Sequence, residues 1–174
     1  MFRKQPDSST GTAEIARGIL RVALGGTMIA HGVRHGTTLE GTAGWFKSIG
    51  FREPMLQAQA SAVIEIGSGA ALIAGAATPL SASAVVGTMA VAAQTVHLPN
   101  GYFVVKEGWE YVAFISAAAV ALSSLGAGRF SVDRLFGWDE KGTPAKRAAL
   151  TAGLGLAGAA VQLKTFWTRP TPSA

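Results

Sequence analysis

The chain of 174 residues has no cysteine. That excludes disulfides, CxxC redox chemistry and thiolate metal sites, so any sulfur chemistry must use a thiol brought by a substrate or partner. Charge is scarce too. Asp, Glu, Lys and Arg make up 14% of the residues, against roughly 25% in soluble domains. Strongly hydrophobic runs are missing as well. The chain is 49% hydrophobic, but Ala and Gly dominate the apolar runs and mean hydropathy is only +0.32. Hydropathy alone therefore understates membrane character. The net charge of +5 comes from basic residues that flank apolar runs and form no stripe with aromatics. This excludes nucleic acid as a partner and favours anchoring at a lipid interface.

What is present is a set of five apolar segments near the ~20 residues that cross a ~30 Å hydrocarbon core. They cover about 14–35, 57–78, 81–98, 108–126 and 148–167. The polar start, 1–13, precedes the first. It has the outline of a signal peptide, but Arg21 inside the run and Met28 where a small residue is wanted favour an uncleaved first span. Between the first two runs, Gly44 to Phe51 reads as a short amphipathic interfacial turn. Thr78-Pro79-Leu80 reads as a tight turn, and Ser131 as the cap of a short surface helix. Residues 138–147 form a basic linker and 168–174 a frayed tail. With five spans, eight Lys and Arg fall on the N-terminal side and six on the other, Arg21 being uncounted inside the span. The bias places the N-terminus in the cytoplasm.

The first span carries a polar face. Arg17, Arg21, Met28, His31 and His35 recur at helical spacing, and ionisable groups inside a span face protein or a wet cavity. Tracing each span by depth brings His31, His35, Glu65, Gln94, His97 and Glu110 to one half of the bilayer, with Arg21 about 15 Å deeper. The expectation is a polar pocket of His31, Glu65, Gln94, His97, Glu110 and Arg21 between four helices, in the extracytoplasmic half. The bland alternative is that these groups pair only to hold the bundle together. Glu65 is the most informative member. A lone acid in an apolar run costs about 2.5–3.5 kcal/mol on insertion scales, so it needs Arg21 or His31 as a partner, or sits there as the neutral acid.

Other motifs carry less. Gly153-Leu-Gly155-Leu-Ala-Gly158 matches GxGxxG but lies inside an apolar run after no strand, which rejects it as a nucleotide fingerprint. His31 and His35 are spaced i, i+4, and with His97 and Glu65 they make a minor metal alternative that lacks the HExxH glutamate. A haem held by His31 and His97 is weaker still. No cofactor is identifiable from the residues themselves.

Several stretches together resemble the DoxX family. They are His31-Gly32, Gly44-Trp45-Phe46 with Gly50-Phe51, Glu65-x-Gly67-x-Gly69, Asn100-Gly101-Tyr102-Phe103, Gly108-x-Glu110-Tyr111, and Gly126-x-Gly128-Arg129-Phe130-Ser131-x-Asp133. The resemblance implies an all-α integral membrane protein of the bacterial plasma membrane: a four-helix transmembrane bundle over 14–137, here with a fifth transmembrane helix, 148–167, appended. The family name comes from a subunit of a thiosulfate- and quinone-dependent respiratory system, and related actinobacterial proteins are associated with a membrane complex of oxidative and thiol stress. The function implied is a small polytopic subunit beside a redox or respiratory partner, with quinone or a small anion in the polar pocket. Any enzyme activity is then partner-dependent and quinone-linked. The alternative is a non-catalytic accessory or anchoring subunit of a larger membrane assembly, docking through 148–167. A homo-oligomer is a further option.

Overall fold

The computed structural model describes residues 8–139 and 141–170. Helix α1 spans Ser8–Thr37, so six residues expected in the polar tail are already helical. At 1.5 Å per residue its thirty residues run about 45 Å, longer than a bilayer core. Helix α2, Leu39–Ser48, replaces the expected interfacial turn: Thr42, Ala43 and Phe46 are buried, and the helix packs mainly on α3. Helix α3 is Pro54–Ala74. Helix α4, Thr78–Ala92, continues through a π turn, Ala93–His97, and a 3-10 turn, Leu98–Asn100. After a second 3-10 turn, Val104–Lys106, come α5, Glu110–Leu125, the single-turn α6, Val132–Leu135, and α7, Pro144–Phe166. Pro79 is not the turn. Gly75, in the left-handed region, closes α3, and Pro79 sits in the first turn of α4, where its missing N–H costs nothing. Ser131 does cap α6, its hydroxyl accepting from the Arg134 amide.

Close approach of glycines sets the helix pairs. A Cβ on Gly25 would lie 2.5 Å from the Gly69 carbonyl oxygen, and one on Gly69 would lie 2.6 Å from that of Gly25. So α1 and α3 touch backbone to backbone, and they run antiparallel. Gly155 does the same for α7 against α4, where an added Cβ would meet Val86 Cβ at 2.7 Å and the Ser83 carbonyl oxygen at 2.8 Å. Van der Waals packing of small residues is the means by which helices associate without a hydrophobic driving force. One apolar core gathers Leu24, Met28, Leu72, Val85, Ile115 and Leu122 from α1, α3, α4 and α5. A second gathers Phe46, Phe51, Ala58, Val91 and Ala159, so α2 and α7 share one core.

Helix α7 is therefore an integral part of the bundle. It starts at Pro144 rather than 148, capped by the Thr143 hydroxyl, and takes up part of the expected basic linker. Its Thr151 hydroxyl donates to Ser123 Oγ at 2.7 Å. At its far end Arg52 N–H donates to the Phe166 carbonyl, Thr168 N–H to the Gly50 carbonyl, and the Trp167 indole to the Ile49 carbonyl. Thr168 is thus tied down, while 171–174 of the expected frayed tail and 1–7 of the polar start lie outside the described residues.

The basic end is held by side chains on helix termini. Asp133, 3% exposed, accepts from the amides of Ala77 (2.6 Å) and Thr78 (2.9 Å) and so caps α4 from across the fold. Arg147 donates to the Ser123 and Ser124 carbonyls at the end of α5. Both charges complement the helix dipole they meet.

By length and composition one segment among the described residues, Thr78–Asn100, is apolar enough to cross a membrane, and Glu110–Leu125 is apolar but shorter. The other expected spans fall short because Gly, Ser, Thr and interior charges dilute them. Their outward residues are nonetheless apolar: Ile15, Ile19, Val63, Leu80, Phe114, Leu154 and Val161 are all exposed.

Candidate functional site

Glu65 sits in the middle of α3 with its side chain 4% exposed. The closeness of α1 and α3 puts it there, since a Cβ on Gly32 would lie 2.9 Å from Glu65 Cβ. Its partner is neither Arg21 nor His31. Ser61, one turn earlier, donates its hydroxyl to Glu65 Oε1 at 2.6 Å. His35 Nδ1 lies 3.0 Å from Ser61 Oγ and 3.2 Å from Glu65 Oε1. With the Ser61 proton committed to the carboxylate, the imidazole N–H must be the donor to this pair. That differs from a nucleophile arrangement, in which serine would give its proton toward histidine.

Glu65 Oε2 is buried and has no partner. A buried acceptor without a donor is costly, about 1–3 kcal/mol or more when charged, and is the atom that calls for an occupant. Glu65 lines a cavity of about 90 Å³ together with His35, Ser61, Trp45, Thr88 and Gln162. Trp45 stacks on the His35 ring with centroids 6.5 Å apart, and Phe46 meets both rings edge-on. The cluster thus offers one open acceptor, one imidazole and two aromatic walls.

The other expected members lie elsewhere. His31 is exposed. The inward line of α1 runs through Arg21, Leu24, Met28, Gly32 and His35, and His31 stands about 60° off it at 100° per residue. Arg21 is buried but serves the opposite end. Nε donates to the Leu72 carbonyl, Nη1 to those of Ala127 and Phe130, and Nη2 to that of Ile73. It ties the end of α3 to the loop before α6. Gln94 is one residue away from Thr95, which lines the Glu65 cavity, so it turns about 100° and lines a groove of about 910 Å³ between α4, α5 and α7. His97 Nδ1 donates to the Glu107 carbonyl at 2.6 Å, and Glu110 Oε2 accepts from the Val104 amide at 3.0 Å. Both pin the 98–109 loop. The structure therefore brings together Glu65 and His35, and adds Ser61, Trp45 and Gln162.

The minor metal set is not assembled. Among the described residues no three of His, Asp and Glu gather as a metal would require. His31 and His97 do not face each other as haem ligands would, because His31 is exposed and His97 is bound to its own loop.

Polar groups gathered inside and apolar side chains turned outward are the distribution of a helical membrane protein. The DoxX family model matches residues 16–98, from α1 to the end of the π turn. Across that stretch the chain is similar to the DoxX family of membrane proteins; α5, α6 and α7 lie beyond the match. Comparison with curated proteins and with solved structures gives no significant match.

Proposed function

We propose that the protein is a multi-pass subunit of a redox- or respiration-associated complex of the bacterial plasma membrane, with its N-terminus in the cytoplasm and the Glu65 cavity as its ligand site. The observation that carries this is Glu65 itself: a carboxyl held at one oxygen by Ser61 and His35, with the other oxygen free and lining a cavity at mid-helix. Quinone chemistry requires proton exchange at a ring oxygen, and a carboxyl beside an imidazole is a pair able to exchange protons. A small anion is the poorer occupant, because the open atom is an acceptor. The five-span topology is supported by exposed apolar side chains on all five long helices, and by aromatic residues at both ends: Trp45, Tyr102 and Phe103 at one, Phe130, Phe136 and Trp138 at the other. Such residues favour the membrane–water interface. The absence of cysteine leaves any thiol chemistry to a partner or substrate. The anchoring alternative draws on 148–167 as a docking helix and on the basic 126–147 segment; of these, 148–167 is packed within its own chain.

Glu65→Gln keeps the shape of the cavity and removes its proton exchange. In membranes carrying the full chain, the protein-dependent share of quinone turnover is expected to fall by about 10²-fold, the lower range of general acid–base effects. Unchanged turnover in the Glu65→Gln protein contradicts the function proposed.

A further inference from the structure

The Glu65 cavity borders α7 at Gln162. Ile64, Thr88 and Gln162 line both the cavity and a second space, a cleft of about 300 Å³ bordered by α3, α4 and α7. Glycines make the cleft: Gly87 on α4, Gly155 and Gly158 on α7. It lies at the level farthest from either end of the bundle, because Ile64 is the central residue of α3 and Gly155 that of α7. Gln162 stands where the cavity meets the cleft, and its Nε2 donates to Gln57 Oε1 at 2.9 Å. That hydrogen bond joins α3 to α7 and holds the Gln162 side chain in place. Gln162 lies outside the family-matched stretch, so this side of the cavity is supplied by the appended helix.

We infer that the cavity is entered sideways, from the hydrocarbon of the bilayer, between α3 and α7 and past Gln162. Its ligand is a lipid-soluble ring that carries a hydroxyl, the O–H donating to Glu65 Oε2 and the ring extending into the cleft, since the cavity of about 90 Å³ is smaller than the roughly 150 Å³ that holds a benzene. The inference rests on the proposed reading of Glu65 as the ligand site and deepens it, naming the hydroxyl-bearing form and the route. Three observations lead to it. An opening at mid-membrane admits apolar molecules and turns away strongly hydrated ones. An open buried acceptor rejects an analogue that lacks the donor far more strongly than an apolar wall rejects a change of shape. Trp45 and Phe46 present ring faces and edges of the kind aromatic ligands pack on.

The test uses the full chain in lipid nanodiscs with two probes, 4-propylphenol and its methyl ether, read by the fluorescence of Trp45 after subtraction of a Trp45→Phe protein. The phenol is expected to give a saturable change at least tenfold tighter than the ether. Gly158→Phe fills the cleft, and since a Cβ there meets nothing within 4 Å, the helices stay in place, as a retained thermal midpoint will show. It is expected to slow phenol entry at least tenfold. Gln162→Leu removes the bond to Gln57 and is expected to speed it. Equal binding of phenol and ether overturns the donor contact to Glu65. Donor-selective binding that Gly158→Phe and Gln162→Leu both leave unchanged overturns the lateral route while Glu65 stands as a ligand site. No binding of either probe overturns both.

Discussion

Replacing Arg21 by methionine is expected to be the most damaging single change, lowering stability by about 3–5 kcal/mol and the thermal midpoint in detergent by about 10 °C. The guanidinium fills four carbonyl acceptors in two separate segments, Leu72 and Ile73 at the end of α3, and Ala127 and Phe130 in the loop before α6. Methionine keeps the volume and leaves those acceptors without their donor. The carbonyls at the end of α3 also lose the positive charge that complements the helix dipole. Packing leaves little freedom to compensate, because a Cβ on Gly75 would already lie 2.9 Å from Arg21 Cζ. Arg21→Lys should recover only part of the loss, since one ammonium cannot span two pairs of carbonyls as the planar fork does. A midpoint within 2 °C of the parent for Arg21→Met would remove this clamp from the account.

The second large effect is expected at Gly155. Gly155→Leu places a side chain where even a Cβ would come within 2.8 Å of the Ser83 carbonyl oxygen, a backbone atom that cannot swing aside. Overpacking of this kind costs about 1–3 kcal/mol or more, and the helix must move to relieve it. The consequence reaches the site, because displacing α7 takes Gln162 away from Gln57 and opens one side of the Glu65 cavity. Gly158→Leu, one turn on, faces open space and should leave the midpoint unchanged. The comparison is made by thermal unfolding of the two proteins side by side. A Gly155→Leu midpoint equal to that of Gly158→Leu would show that α7 is not held against α4 at this point.

Much of this fold was legible because intramembrane polarity is conspicuous. Glu65 stands out as a lone acid in an apolar run, and the alternation of apolar segments and turns located the five long helices to within a few residues. The misplacement of His31 was a matter of phase. Spacing alone made both members of one face, and only the position of Gly32 against α3 decides that His35 turns inward. Arg21 was misjudged because its partners are backbone carbonyls, which leave no trace in side-chain patterns. Asp133 was missed for the same reason in reverse: it caps α4 from 55 residues away, and capping is recognisable in sequence only when it is local. His97 and Glu110 each bond to the loop between α4 and α5 rather than to Glu65. Gln162 passed unnoticed as one neutral amide in an Ala- and Gly-rich run, although it is the residue through which α7 reaches the site.

The central claim is a five-helix bundle that crosses the membrane an odd number of times, with α7 inserted beside α4. The lack of native cysteine makes the direct measurement clean, because any introduced thiol is the only one. Lys106→Cys, Lys141→Cys and Arg169→Cys each sit on exposed positions, outside the long helices. With a membrane-impermeant maleimide on intact cells and on inverted vesicles, Lys106→Cys and Arg169→Cys should react from one side and Lys141→Cys from the other. Labelling of Arg169→Cys from the same side as Lys141→Cys would contradict the account, for α7 would then not cross.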